Sequence, residues 1–479
     1  MPKFKIITLG CKVNQAESEA IAGRLADAHW TPAGSEEAAD LCIVNTCAVT
    51  QRAGMQSRQA VRRAIQENPG SCVAATGCYA AIDPQALLKI RGLDRLVAQQ
   101  DKLRLPEILF GSCSAKCSHG TLPSSRKAGD GLDRSPGIDK MLPMQERLPA
   151  AIASRQKAAP TEKSATSLEA STRPAISSAL PPAGSRTRPF IKIQDGCDAF
   201  CAYCIVPYAR GPSRSADFQS VLDGVSRLAD QGFHEAVLTG IHLGAYGKDL
   251  KPRTGLFELL QAILKRPDAI RIRLSSIEPL ELTDEIIDLA AASERICRHF
   301  HIPLQSGDAQ VLKRMGRPYS PEQFGGRVMQ VRSRLPEAAV GADVLVGFPG
   351  ETDAAFENTC ALVASLPLTY LHVFPFSARP GTAACTISGR VAAERIKQRC
   401  SRLRQLGRGK RLDFHRRFIG RTVPVLTESR RDPRTGLLKG VSSNYLPVWF
   451  DGGDDRMQRL VEVRISGADA VRLRGSLTE

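Results

Sequence analysis

From the third residue to about residue 100, short apolar runs alternate with longer stretches whose apolar residues recur at helical spacing. The runs lie at 3–9, 41–44, 72–75 and 93–98, and the helical stretches at about 15–29, 53–67 and 83–91. This alternation predicts a parallel sheet covered by helices. The rhythm stops near residue 112. From 112 to 187 Ser, Ala, Pro, Gly and Lys/Arg dominate and no periodicity survives, which predicts a long disordered linker.

The βα rhythm returns at Pro189. Strands are predicted at 190–194, 235–239, 269–274, 299–304, 340–346 and 369–374, with helices between them at roughly 215–231, 256–265, 283–293, 308–314, 321–334 and 352–364. Six βα units fall short of the eight that close a barrel, so a partial barrel open to a large substrate is expected. A helical, arginine-rich segment at about 391–411 leads to short strands at 422–427, 437–441, 446–450, 460–465 and 471–477. Turn signals such as Gly452-Gly453 and Ser466-Gly467 separate them and suggest a small β-barrel of the kind that binds nucleic acid. The expected fold class is α/β: an N-terminal parallel-sheet domain over 1–111, the linker over 112–187, a partial (β/α)6 barrel over 188–411 and a small β-barrel over 412–479.

Composition narrows the function. The chain has 479 residues, 42% hydrophobic, so several cores are expected rather than one. Its start runs straight into a strand without a signal-peptide pattern, and no apolar stretch reaches transmembrane length, so a cytoplasmic protein is expected. Fourteen cysteines in a reducing compartment argue for metal ligation or buried packing rather than disulfides. Net charge is +17, and residues 379–431 hold 15 Lys/Arg against 3 Asp/Glu. Such an excess suits a polyanion, although a solvated helix face explains part of it equally well.

The cysteine spacing carries the chemistry. Cys197, Cys201 and Cys204 lie in one loop as C-x3-C-x2-C, after the first barrel strand and so at the rim where barrel active sites form. Three thiolates leave one iron of a four-iron cluster without a protein ligand, and an open position is where a metal site does chemistry. A structural zinc would want a fourth ligand from a second knuckle, and none follows. Cys11, Cys47 and Cys78 close three successive N-terminal strands, whose carboxyl ends form the ligand crevice of an open parallel sheet. They read as a second three-thiol set assembled by the fold. Cys42 and Cys72 fall inside apolar runs as structural cysteines do. Cys113 and Cys117 repeat C-x3-C in the linker with no further ligand nearby and read as incidental.

Polar residues recur at the barrel rim: Thr239 and Gly240 after the second strand, Ser275 and Glu278 after the third, Gln305 to Gly307 after the fourth and Gly347 to Glu351 after the fifth. Each alone reads as a turn or helix cap. Their convergence on one rim makes them candidates for ligand contacts.

Gly196-Cys197-x3-Cys201-x2-Cys204 resembles the radical S-adenosylmethionine (SAM) motif. With the Cys11/Cys47/Cys78 set, the runs from Arg273 to Pro279 and from His301 to Gly307, and the C-terminal small β domain, the chain resembles the three-part radical SAM methylthiotransferases, built of MTTase, radical SAM and TRAM domains. Thr8 to Asn14 (TLGCKVN) and Val44 to Thr50 (VNTCAVT) are most similar to the MtaB branch of that family. The linker is longer than the family pattern leads one to expect.

The resemblance implies two 4Fe-4S clusters, one on Cys197, Cys201 and Cys204 that binds and cleaves SAM, and an auxiliary one on Cys11, Cys47 and Cys78 that carries the sulfur. It implies that Thr239, Gly240, Ser275 and Glu278 contact SAM, that two SAM molecules are used per turnover, and that a methylthio group is placed on C2 of N6-threonylcarbamoyladenosine beside the tRNA anticodon. Implied partners are the tRNA anticodon stem–loop, an electron donor such as a flavodoxin or ferredoxin, and a sulfur donor, with no membrane involved. Tyr445, Trp449 and Phe450 are the aromatics available for base stacking, the last two fitting a small core better. Lys12 and Asn14 lie near the auxiliary set with no role assigned. Alternatives are isopentenyladenosine tRNA or a ribosomal protein aspartate as substrate, or a noncatalytic iron–sulfur RNA-binding protein.

Overall fold

A computed structural model of the chain describes residues 1–34, 36–110, 133–134, 186–268 and 270–478. Most of the predicted linker, with Cys113 and Cys117, lies outside the described residues.

The N-terminal strands are parallel, in the order Thr31–Pro32, Lys3–Thr8, Leu41–Thr46, Cys72–Gly77, Arg95–Leu96 and Asp133–Arg134. Leu41–Thr46, flanked on both sides, is buried along its whole length, as a strand with helices on both faces must be. Helix Lys12–Asp27 covers one face and Gln51–Glu67 the other, the latter started by Thr50, whose Oγ1 accepts from the Ala53 amide at 3.0 Å. The helix expected at 83–91 is present but shorter, Pro84–Leu88, and a second short helix, Cys78–Ile82, precedes it. Asp83 caps Pro84–Leu88 through the Ala86 amide at 3.1 Å and Pro84 opens it, so the chain turns between the two helices.

Six parallel strands then form an open arc. Phe190–Lys192, Glu235–Thr239 and Arg271–Leu274 make one half, and His299–His301, Ala339–Val346 and Tyr370–Pro375 the other. Single bridges, Ile272 to Ile296 and Ser276 to His301, join the halves. The fourth strand is shorter than expected because Pro303 has no N–H to give the ladder. Leu259, Ile272, Phe300, Phe324 and Val340 form part of the continuous core between strands and outer helices.

Helix Ala393–Arg416 runs five residues past the expected end and carries Phe414 into the core of the last unit. That unit is a closed five-stranded barrel of Thr422–Thr427, Leu438–Ser442, Pro447–Phe450, Leu473–Leu477 and Leu460–Ala468. Its last strand starts two residues later than expected, because Asp469 holds the Val471 and Arg472 amides in a turn at 2.6 and 2.8 Å. Phe450 is core, and Trp449 lies under the Arg472 guanidinium at 5.5 Å.

Candidate active site between two cysteine triads

The loop that bears Cys197, Cys201 and Cys204 is framed by a short antiparallel pair, Gln194–Asp195 with Arg214–Ser215. Gly196 opens it at φ +73°, and a Cβ there would stand 1.9 Å from the Pro212 carbonyl oxygen, so no other residue fits. The Cys204 amide closes a turn on the Cys201 carbonyl at 2.8 Å. His242 reaches the Cys197 Sγ with Nδ1 at 3.6 Å and pairs with Glu281 through Nε2 at 2.9 Å. Arg317 donates to the Cys201 Sγ at 3.3 Å and pairs with Glu278. Burial, then the charges of Cys201 and Cys197, push the Cys204 thiol up to about 12. Thiols this reluctant to ionise become ligands when a metal displaces their protons.

At the second triad, Cys11 caps helix Lys12–Asp27, Cys47 follows strand Leu41–Thr46, and Cys78 follows strand Cys72–Gly77. The topology therefore gathers them as expected. Cys47 feels the charges of both Cys78 and Cys11, and burial raises it to about 11. Gly10 is at φ +96° with a Cβ position only 2.8 Å from the Cys47 Sγ, which leaves room for the thiol and nothing more. Asn14 sits among the three: its Nδ2 donates to the Leu9 and Thr46 carbonyls at 2.7 and 3.0 Å, and its Oδ1 lies 4.0 Å from the Cys78 Sγ.

A buried charge network links the triads. Glu17, one turn further along the same helix face than Asn14, accepts from Lys102 at 2.6 Å, Lys192 at 2.7 Å and Arg210 at 2.9 Å. Asp195, the residue before Gly196, accepts from Lys192 at 2.9 Å and Arg210 at 2.8 Å, and Arg210 also donates to Asn14 at 2.5 Å. Burial alone would raise the Glu17 carboxyl, but Arg210, Lys102 and Lys192 hold it well below the ordinary carboxylate range. Three buried cations face two carboxylates here. The surplus positive charge next to Cys78 complements a cluster on three thiolates, which is anionic.

The SAM candidates are placed unequally. Thr239 is buried at the end of its strand, with its carbonyl accepting from the Ile193 amide at 2.9 Å. Gly240 packs against Gln194, whose Oε1 accepts from the His242 amide at 2.7 Å. Ser275 is buried with no partner for its Oγ. Glu278 reaches the loop through Arg317. Sequence reading missed Arg317, His242, Glu281, Arg210, Glu17 and Asp195. Asn14 and Glu17 do share Cys11's helix at helical spacing, but their partners are nearly 200 residues away in the chain.

Below the rim the barrel wall is polar. His299 and His301 both reach the Tyr370 hydroxyl, at 2.7 and 3.1 Å, and Asp343 accepts from His301 at 2.9 Å and from His372 at 3.3 Å. The basic helix is partly structural: Arg395, Arg399 and Arg402 pair with Asp353, Glu351 and Glu357. Arg408 and Arg416 of the same helix are exposed.

Comparison with known proteins agrees with this geometry. Residues 3–98 match an uncharacterized protein family, UPF0004, and residues 191–363 match the radical SAM superfamily. The chain is 35% identical over 96% of its length, and 92% of the relative's, to the threonylcarbamoyladenosine tRNA methylthiotransferase MtaB of Bacillus subtilis. The chain belongs to the radical SAM methylthiotransferase family. A protein of the same name from Aquifex aeolicus is 32% identical over 97% of this chain and its own whole length. The tRNA-2-methylthio-N(6)-dimethylallyladenosine synthase of Pelotomaculum thermopropionicum is 30% identical over the whole chain and 98% of its own. The fold is similar to that of a solved radical SAM methyltransferase, TsrM from Kitasatospora setae, at TM-score 0.53 and 17% identity, covering 80% of this chain and 77% of that one.

As a radical SAM methylthiotransferase the protein uses SAM and 4Fe-4S clusters, and its donor sets fit them. Each triad offers sulfur ligands only, and each is bordered by a guanidinium, Arg317 or Arg210. No helix among the described residues is long and apolar enough to cross a membrane.

Proposed function

We propose that Cys197, Cys201 and Cys204 hold the SAM-cleaving cluster, that Cys11, Cys47 and Cys78 hold the sulfur-bearing one, and that the enzyme converts N6-threonylcarbamoyladenosine beside the tRNA anticodon to its 2-methylthio derivative. The observation that carries this reading is the pair of three-thiol sites joined by one buried network, since cleaving a sulfonium and delivering a sulfur each call for an iron with an open position. The clusters and SAM, when bound, supply one-electron cleavage and the inserted sulfur.

The chain's own residues bind and orient. Glu278 and Arg317 form a charged pair beside Cys201, and Ser275 brings a hydroxyl without a protein partner to the same rim. With Thr239 and Gly240 these are the proposed SAM contacts. Arg210, Glu17 and Asp195 fix the distance between the two triads, because neither domain can shift without breaking several buried ion pairs. The polar wall of His299, His301, Tyr370 and His372 suits a polar N6 substituent better than an isopentenyl group, which favours the first substrate over the second. Target adenine must leave its stack to reach the rim, so a single-stranded anticodon loop is the natural form of the substrate. Arg408 and Arg416, both exposed on helix Ala393–Arg416, are the proposed contacts to its phosphates. A flavodoxin or ferredoxin as electron donor, a sulfur donor and a cytoplasmic setting complete the reading.

Separating the two triads tests it. Cys11→Ala and Cys47→Ala enzymes reconstituted anaerobically are expected to release 5′-deoxyadenosine from SAM yet form no methylthio nucleoside, whereas Cys197→Ala loses both. SAM cleavage that survives in Cys197→Ala overturns the assignment.

A further inference from the structure

Lys12 follows Cys11 directly, and among the described residues it has neither a hydrogen-bond nor an ion-pair partner. Its side chain stands within electrostatic reach of Arg273, Arg188, Glu235 and His299. Arg188 is matched by Glu428 at 2.6 Å. Arg271 and Arg273 share a single carboxylate, Glu235, at 3.0 and 2.6 Å, so with Lys12 three cations face one anion. His299 is 2% exposed, gives its Nε2 to the Tyr370 hydroxyl, and has no partner for Nδ1. Tyr445 closes the group from the C-terminal barrel, its ring 4.4 Å from that of His299 and 5.2 Å from the Arg273 guanidinium carbon. All three folded units thus contribute to one cluster of side chains with excess positive charge, an unsatisfied hydrogen-bonding group and an aromatic ring.

We propose that Lys12 binds the carboxylate of the substrate's N6-threonylcarbamoyl group and thereby selects this substrate. The proposal rests on the reading of threonylcarbamoyladenosine as substrate. In adenine, C2 and the carbon bearing N6 flank the same ring nitrogen, so a base whose C2 faces the sulfur-bearing site extends its N6 substituent along that edge. A lysine adjacent to one of that site's cysteines is where such a substituent arrives. The threonylcarbamoyl group brings one carboxylate and further hydrogen-bonding atoms, which match Lys12 and the His299 Nδ1. An isopentenyl group brings none of them and would cover an ammonium without pairing it, the arrangement that discriminates most strongly between substrates.

Anticodon stem–loop RNAs identical except at the target adenosine provide the test: threonylcarbamoyladenosine, its carboxylate methyl ester, and unmodified adenosine. Affinities are measured with reconstituted wild-type, Lys12→Gln and Lys12→Arg enzymes of equal iron content. The wild type is expected to bind the free carboxylate about ten- to hundredfold more tightly than the ester. Lys12→Gln loses that preference without weakening binding of the unmodified RNA, and Lys12→Arg keeps it. Equal loss on all three RNAs would make Lys12 a general phosphate contact, and a raised KM for SAM in Lys12→Gln would give the lysine to SAM's own carboxylate; either overturns the proposal. If the wild type fails to methylthiolate the threonylcarbamoyl RNA at all, the substrate reading itself fails, and that is visible before any variant is compared.

Discussion

Replacing Glu17 by Gln keeps the shape of the side chain and removes the charge that binds the N-terminal domain to the barrel. Glu17 is 2% exposed and accepts from Lys102, Lys192 and Arg210 at 2.6–2.9 Å. In the variant, Lys192 and Arg210 keep Asp195 and Lys102 keeps only the Asn45 Oδ1 at 3.2 Å. Lys192 and Arg210 then share one buried carboxylate while Lys102 is left buried with none, and breaking a buried pair from one side costs about 3–5 kcal/mol. Trp30, buried in the N-terminal core, reports this unit's unfolding once the chain's other tryptophan is removed by Trp449→Phe. A urea titration followed by Trp30 fluorescence is expected to move its midpoint down by at least about 1 M. The loss should also depend on pH in a defined direction. Glu17 and Asp195 are both held below the ordinary carboxylate range, so their contribution is complete above that range and is lost as pH falls through the lowered values. Glu17→Gln should therefore flatten the acid limb of stability. A midpoint that barely moves, or additive effects of Glu17→Gln and Lys192→Met, would refute a coupled network.

Three other perturbations probe separate parts. Gly10→Ala drives a methyl into the Cys47 Sγ and is expected to cost the auxiliary cluster, halving bound iron while SAM cleavage continues; full iron content contradicts this. Arg317→Met strips Glu278 and Cys201 of their shared cation and should slow 5′-deoxyadenosine release about 10- to 100-fold with cluster absorption intact. Arg408→Gln should weaken RNA binding and reduce its salt dependence by about one ion. Arg399→Gln, whose guanidinium is buried on Glu351 and Asp353, should instead lower stability and leave the salt slope alone.

Much of the fold was legible because its elements are written in local patterns. Four of the N-terminal strands, the six of the open barrel and the five of the closed one follow apolar runs bounded by turns, whereas the two-residue strands Thr31–Pro32 and Asp133–Arg134, the second within the expected linker, are too short and too polar to leave such a run. The cysteines were legible for two reasons: one triad is contiguous, and the other sits at successive strand ends, where topology brings distant residues together. The charge network was not. Glu17, Arg210 and Lys102 look like ordinary surface residues of amphipathic segments, and only the docking of two domains buries them together. The arginine-rich helix misled in the opposite sense, since a local count of charge cannot distinguish arginines held by Asp353 and Glu357 from those left for phosphate. Boundaries slipped where a single side chain intervened, as at Asp83, Pro303 and Asp469.

Nucleoside analysis of the product decides whether two iron–sulfur sites cooperate on a threonylcarbamoyl-modified tRNA. Reconstituted enzyme is supplied anaerobically with SAM, a reductant and a mixture of tRNAs carrying threonylcarbamoyladenosine or isopentenyladenosine beside the anticodon. The expected product is 2-methylthio-threonylcarbamoyladenosine accompanied by 5′-deoxyadenosine, with the isopentenyl nucleoside unchanged. Methylthiolation of the isopentenyl nucleoside alone, or 5′-deoxyadenosine with neither product, would contradict the assignment.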